Sequence, residues 1–221
     1  MTKLLARAID ISSAVHPGMV AYPGECQTEQ HVHLRAGEEN PVTCTHWSMT
    51  AHAGAHLDAP AHFDARGKQI ADFSIHDFEF SCAVLDATTL RSQGRHVDPA
   101  FLQEHSTVWK GAEAILFKTH HGELWTSSAF DPSHTAIAPD AAEVIATHAP
   151  GIRLVGIDYF SVEPFGSDPA RTHLALLRRG LFILEGIDLS MISGSGPFTL
   201  LALPVKWLNA EAAPCRAVLI P

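Results

Sequence analysis

The chain predicts an α/β fold in a single domain, and three observations carry that prediction. Its 221 residues suit one largish domain, and 46% hydrophobic with 18% charged residues is the balance of an ordinary globular core. Apolar runs of strand length recur along it: Cys82-Ala-Val-Leu85, Ala114-Ile-Leu-Phe117, Leu154-Val-Gly-Ile157 and Leu181-Phe-Ile-Leu184. Helical signals fall between them; Asp140 to His148 leads directly into Arg153 to Asp158, a helix–strand unit typical of α/β folds. No internal repeat, linker composition or low-complexity segment divides the chain.

In order, Ala8 to Ser13 reads as a first strand and Pro17 to Gly24 as a turn-rich loop ending in Tyr22-Pro23-Gly24. From Gln30 to Arg35, Val32 and Leu34 alternate with His31 and His33, a half-exposed strand whose histidines face solvent. Thr43 to His52, rich in β-branched and aromatic residues and carrying His46 and Trp47, is a further strand. Asp64 to Asp72 is polar and loops away. Ser81 to Thr88 and Glu113 to Lys118 are buried strands, and between them Asp98-Pro99 supplies an N-cap and a first-turn proline for a short helix through Glu104. The second of these strands ends in Thr119-His120-His121-Gly122, a polar loop of the kind on which α/β proteins place function. Adjacent histidines point apart, so His120 and His121 would not easily share one ion. Asp168-Pro169 repeats the N-cap and proline signal for a helix closed by Gly180, with Leu174 and Leu177 as its apolar stripe and His173 one position before it. Leu181 to Gly186, Leu200 to Leu203 and Ala217 to Ile220 complete the strands.

Composition excludes several function classes. A net charge of −9 disfavours nucleic acid and anionic membrane surfaces as partners. No apolar stretch approaches the roughly 20 residues that cross a bilayer, and Arg7 and Asp10 fall too early for the apolar region of a signal peptide. Cys26, Cys44, Cys82 and Cys215 are scattered without a Cys-x-x-Cys pair, which predicts reduced thiols and a cytoplasmic protein.

The chemistry concentrates in His52-x-Gly54-x-His56-x-Asp58-x-Pro60-x-His62-Phe63. Three histidines and a carboxylate occupy even positions, and alternate side chains of an extended segment share a face. A helix would turn the pair 52/56 away from 58/62, and Gly54 and Pro60 oppose a helix interior. Imidazole and carboxylate are the donors that zinc and other first-row divalent ions prefer. The bland alternative is a histidine-rich loop in a chain that holds 15 His. Glu185 follows four apolar residues, and a buried carboxylate must be paired or must coordinate an ion. A salt bridge to Arg171, Arg178 or Arg179 would satisfy it, and so would a metal shared with His173, which lies on the preceding helix.

The stretch from His52 to Phe63 resembles the signature of the cyclase-like metal-dependent hydrolases, a family that includes bacterial kynurenine formamidase and isatin hydrolase. Ala21-Tyr22-Pro23-Gly24 is similar to the family's Tyr-Pro-Gly segment, Gly156-Ile157-Asp158-Tyr159 through Glu163 to its Gly-Ile-Asp loop, and His173 with Leu184-Glu185-Gly186 to its late histidine and Leu-Glu-Gly pair. The resemblance implies a mixed β-sheet or barrel-like core flanked by helices, the cyclase-like swivelling β/α/β fold. It also implies a site for two divalent ions, Zn²⁺ or Mn²⁺. His52, His56 and Asp58 would hold one ion; Asp58, His173 and Glu185 would hold the second; His62 would stay free as general acid/base. Ala55 stands where the family usually has threonine, so a hydroxyl that could position a ligand is missing. The implied partners are a small aromatic amide and further copies of the chain, as a homodimer or homotetramer. Trp47, Phe63 and Phe165 are candidates for an aromatic substrate pocket. The expected reaction is hydrolysis of an aryl formamide. Hydrolysis of isatin or another cyclic amide or lactone, and a non-catalytic metal-binding role, are the alternatives.

Overall fold

The computed structural model describes residues 4–38, 40–119, 125 and 129–221. Ten strands run in chain order as β1 (Ile9–Asp10), β2 (Glu29–Leu34), β3 (Cys44–Ser48), β4 (His56–Asp58), β5 (Glu79–Asp86), β6 (Ala114–Lys118), β7 (Leu154–Ile157), β8 (Phe182–Glu185), β9 (Phe198–Pro204) and β10 (Ala212–Ile220). The main sheet has the order β1-β10-β4-β8-β7-β6-β5-β9, and pairing of β9 with β10 closes it into a barrel. β5 to β8 are parallel neighbours, whereas β4, β9 and β10 pair antiparallel. The sheet is therefore mixed and barrel-like, as the resemblance implied. β2 and β3 form a separate hairpin.

The parallel strands are continuous apolar runs because both of their faces are covered. Cys82, Val84, Leu116, Leu154 and Leu184 point inward, where they meet Leu57, Leu200 and Ala217. The alternate residues Ala83, Leu85, Ile115, Phe117, Val155 and Ile183 pack outward against helices. Those helices are α1 (Thr88–Ser92), α2 (Pro99–Glu104), α3 (Ser106–Trp109), α4 (Pro139–His148) and α5 (Arg171–Leu177). Asp98 caps α2 as expected, its carboxylate accepting the Phe101 backbone N–H at 2.8 Å. No helix among the described residues is long and apolar enough to cross a membrane.

Several sequence expectations need correction. Asp168 does not cap α5; the helix starts at Arg171 behind Ala170, and the Asp168–Pro169 peptide is cis. Its buried face is Thr172, His173, Leu176 and Leu177, so His173 lies on the apolar stripe rather than beside it. The strand expected over 43–52 stops at Ser48, and the strands expected at 200–203 and 217–220 extend to Phe198–Pro204 and Ala212–Ile220. β10 is long because it pairs with β4, β9 and β1 in turn, a non-local opportunity that local composition does not signal. His120 and His121 lie outside the described residues.

Candidate metal centre

The site stands on the outer face of the barrel where β4 meets β8. His56 is directly opposite Glu185, and Leu57 opposite Leu184. Because the leucines fill the barrel interior, the pleat sends His56, Asp58 and Glu185 to the other side. The one-sided register inferred from sequence thus holds within the strand only for 56 and 58. His52 and His62 arrive by turns, one with Gly54 at φ +67° and the other a short 3-10 turn begun by Pro60. Gly186, at the end of β8, faces that first turn so closely that a Cβ there would lie 1.9 Å from the Gly54 carbonyl oxygen. Only glycine permits this approach, and it joins the two strand ends that carry the site.

Asp58 is the centre of the group and is fully buried (0% exposed). Its Oδ1 lies 3.0 Å from His52 Nδ1 and 3.6 Å from His56 Nε2. Glu185 bridges the two histidine sets: Oε2 is 3.5 Å from His56 Nε2 and Oε1 is 3.5 Å from His173 Nε2. No arginine pairs with Glu185; its Oε1 accepts the Val162 backbone N–H at 2.6 Å instead. The Nδ1 of His56 is 2.9 Å from the Gly54 carbonyl, which requires an N–H there and turns the lone pair of Nε2 into the site. His173 is oriented in the same way by Glu163, whose Oε2 lies 3.0 Å from Nδ1 and also accepts the His173 backbone N–H.

His56 Nε2 and Asp58 Oδ2 are buried without a hydrogen-bond partner, and Asp58 Oδ1 meets only the ring nitrogen of His52. Buried lone pairs converging on one point, with His52 as the one imidazole beside the carboxylate, are costly as they stand and are satisfied by a cation. This donor set fits a divalent metal. His52, His56 and Asp58 present ligand atoms within reach of one ion, as do Asp58, His62 and His173 and, on the outer side, His52, His62 and Glu211.

Electrostatics point the same way. Burial works against a charge on His52, but the Asp58 carboxylate outweighs it and lifts the imidazole to about 9. Burial is likewise overcome at His173, which Glu163 and Glu185 lift to about 10. The reciprocal effect holds Asp58 well below the carboxylate range and Glu185 at about 2, in both cases against burial. His62 goes the other way: burial lowers its pKa, and the charges of His52 and His173 lower it further against the pull of Asp58 and Glu185. Its ring lies 4.4 Å from that of His52 and 5.9 Å from that of His173.

A cavity of about 250 Å³ opens in front of these groups, lined by His52, His62, His173 and Glu185 and walled by Tyr22, Phe63 and Phe160. Phe63 stacks on His173 with ring centres 4.9 Å apart. Phe165 does not line the cavity; it is 42% exposed and packs edge-on against Tyr22 at 6.0 Å. Trp47 lies on the β2–β3 hairpin, 39% exposed, and lines neither the cavity nor the core.

Comparison with known proteins bears on this geometry directly. The model of the Cyclase family, described as "Putative cyclase", matches residues 9–164. The chain belongs to that family. It is 35% identical over 216 residues to the kynurenine formamidase of Paracidovorax citrulli, covering 95% of this chain and 94% of that protein. The solved structure of a predicted metal-dependent hydrolase from Bacillus stearothermophilus superposes with a TM-score of 0.78 at 28% identity, covering 96% of this chain and 97% of that one. Isatin hydrolase A from Ralstonia solanacearum shares the fold, with a TM-score of 0.84 at 18% identity over 96% of this chain and 91% of that one.

Within the Cyclase-family match, Asp158 has a structural place: its Oδ1 accepts from the backbone N–H and hydroxyl of Thr119 at 2.8 and 2.5 Å, tying the end of β6 to β7. Sequence reasoning quoted Glu163 only as the end of a motif and missed Glu25, Thr50 and Glu211 altogether. Glu211 approaches His52 Nε2 at 3.4 Å because β10 begins beside Asp58, a long-range pairing with no local signal. Glu163 had one, a lone acid in the otherwise apolar Val162-Glu-Pro-Phe165.

Proposed function

We propose that the chain is a metal-dependent hydrolase that cleaves an aryl formamide to formate and an arylamine. The observation that carries this reading is the convergence of buried His56 Nε2 and the buried Asp58 carboxylate beside a neutral His62 that lines an aromatic-walled cavity. The kinship with kynurenine formamidases supports the choice of substrate bond. His52, His56 and Asp58 would hold one divalent ion, and Asp58, His173 and Glu185 a second, with N and O donors that suit zinc or manganese. Such ions, when bound, acidify a water and draw charge from a carbonyl oxygen.

The remaining work falls to the chain's own side chains. His62, neutral at pH 7, takes a proton from the attacking water as the new C–O bond forms, and returns it to the leaving nitrogen as the C–N bond breaks. Glu163 holds His173 in the tautomer that presents Nε2 to Glu185. Phe63 and Phe160 exclude water and offer flat apolar surface to an aryl ring. An arylamine is a better leaving group than an alkylamine, which favours aryl amides in a site with a single imidazole as acid. Unpaired Cys26, Cys44, Cys82 and Cys215 accord with a reducing cytoplasm, and exposed Val42 and Trp47 on the hairpin accord with a homodimer or homotetramer.

The test is turnover of N-formylkynurenine and isatin by chelator-stripped protein reloaded with zinc or manganese. Metal-dependent formamide cleavage that falls about 10²–10⁴-fold in His62→Ala, with metal content kept, is the expected result. Cleavage of isatin alone moves the assignment to cyclic amides, and no turnover of either substrate by fully loaded protein overturns it.

A further inference from the structure

Residues 162–163 serve the metal centre on one side and are held from the other. Toward the site, the Val162 N–H donates to Glu185 Oε1 at 2.6 Å, and Glu163 Oε2 takes both the backbone N–H and Nδ1 of His173. Away from it, the segment before α4 holds the two carbonyls. The Ile137 N–H donates to the Val162 carbonyl at 2.9 Å, and His134 Nε2 lies 3.1 Å from the Glu163 carbonyl. Pro164 comes next and has no N–H to add. The first support is backbone to backbone. The second is a side chain, so a substitution can remove it.

His134 is 1% exposed, and its ring packs against that of Tyr159 with centres 4.4 Å apart. A carbonyl only accepts, so Nε2 carries the hydrogen of the bond to Glu163. The Nδ1 side of the ring is 3.3 Å from the Asp131 carbonyl, which also accepts from the Tyr159 hydroxyl at 3.0 Å. The Asp131 carboxylate in turn lies 3.4 Å from the guanidinium of Arg91. The Thr172 hydroxyl donates to the Ile137 carbonyl at 2.8 Å, so the same segment also ties down the helix that carries His173. Resting on the metal-centre reading of the proposed function, we propose that His134 is a positioning residue for the half of the centre built on His173 and Glu185. Its bond to the Glu163 carbonyl fixes the loop that aims Glu163 at His173 and the Val162 N–H at Glu185. His52, His56 and Asp58 are placed by β4 and the turn before it, so the ion held there is independent of this support.

The test removes the N–H without emptying its place, and reads zinc affinity by competition with a chromophoric chelator. His134→Phe keeps a flat ring against Tyr159 and loses the donor. It is expected to weaken the ion at His173 and Glu185 about 3–10-fold and to leave the ion at His52 and His56 within about twofold. His134→Gln keeps an N–H donor and should recover most of the loss. His134→Leu, smaller than the native ring, repeats the loss of the donor should phenylalanine not fit. The decisive comparison is the double variant with Glu163→Gln. If His134 acts through Glu163, the second substitution adds little to the first; additive losses overturn the proposal. Equal weakening of both ions, or unchanged affinity without the donor, overturns it as well. Each of these failures leaves the formamidase reading intact. Protein that shows the expected pattern of zinc affinities yet hydrolyses no formamide would keep the role of His134 and sink that reading.

Discussion

The two halves of the metal centre are built differently. The half from His52 to His62 is local: eleven residues, two turns and a strand three residues long place it, and it leaves His56 Nε2 and Asp58 Oδ2 unpartnered. The half made of Glu163, His173 and Glu185 is assembled from a loop, a helix and a strand, and there the side chains are already hydrogen-bonded to one another and to the backbone of Val162, Thr172 and His173. The first half is incomplete without a cation. The second is preorganised before one arrives, because Glu163 and the Val162 N–H fix His173 and Glu185. Asp58 is the hinge between them, the residue that the two proposed ion positions would share.

The comparison is broken most severely at that hinge. Asp58→Asn removes the charge that both positions need, so inductively coupled plasma analysis of the reloaded variant should find neither ion, with turnover down by about 10³-fold or more. Retention of a full complement of metal would show that the halves are independent.

Glu163→Gln should separate the halves. The ion at His173 and Glu185 is expected to bind about 10–100-fold more weakly in competition with a chromophoric chelator, while the ion at His52 and His56 is little changed. Glu163→Asp should recover part of the loss, and equal weakening of both ions would contradict the assignment.

The smallest effect is on protons. In metal-free protein His52 and His173 are lifted to about 9 and about 10. A raised imidazole pKa contributes stability fully below the unfolded value near 6.5 and loses it as pH climbs through the folded values. Metal must displace those protons, so binding at pH 7 should release about two protons per chain, read from calorimetry in buffers of different ionisation enthalpy, and apparent affinity should rise with pH up to about 10.

The same division explains what the sequence could reveal. His52, His56, Asp58 and His62 are legible because one short stretch holds them all, and the buried strands β5 to β8 because both faces of each are apolar. Without the family resemblance, His173 and Glu185 are legible only as types, a helix histidine and a strand carboxylate, until the register of β4 on β8 puts His56 opposite Glu185. Glu211 and Glu25 were invisible, one brought in by the start of β10 and the other by a turn at Tyr22-Pro23-Gly24 whose direction no local pattern sets. Trp47 lies away from the cavity because its hairpin stands apart from the barrel, which the β-branched and aromatic richness that predicts its strand cannot say.

The most direct measurement is anomalous diffraction at the metal edge from crystals of zinc- or manganese-loaded protein. Two peaks per chain are expected, one among His52, His56 and Asp58 and one among Asp58, His173 and Glu185, with His62 coordinating neither. A single peak held by His52, His62 and Glu211 would contradict the account, since it would make His62 a ligand and leave the orphaned atoms of His56 and Asp58 without the cation their burial demands.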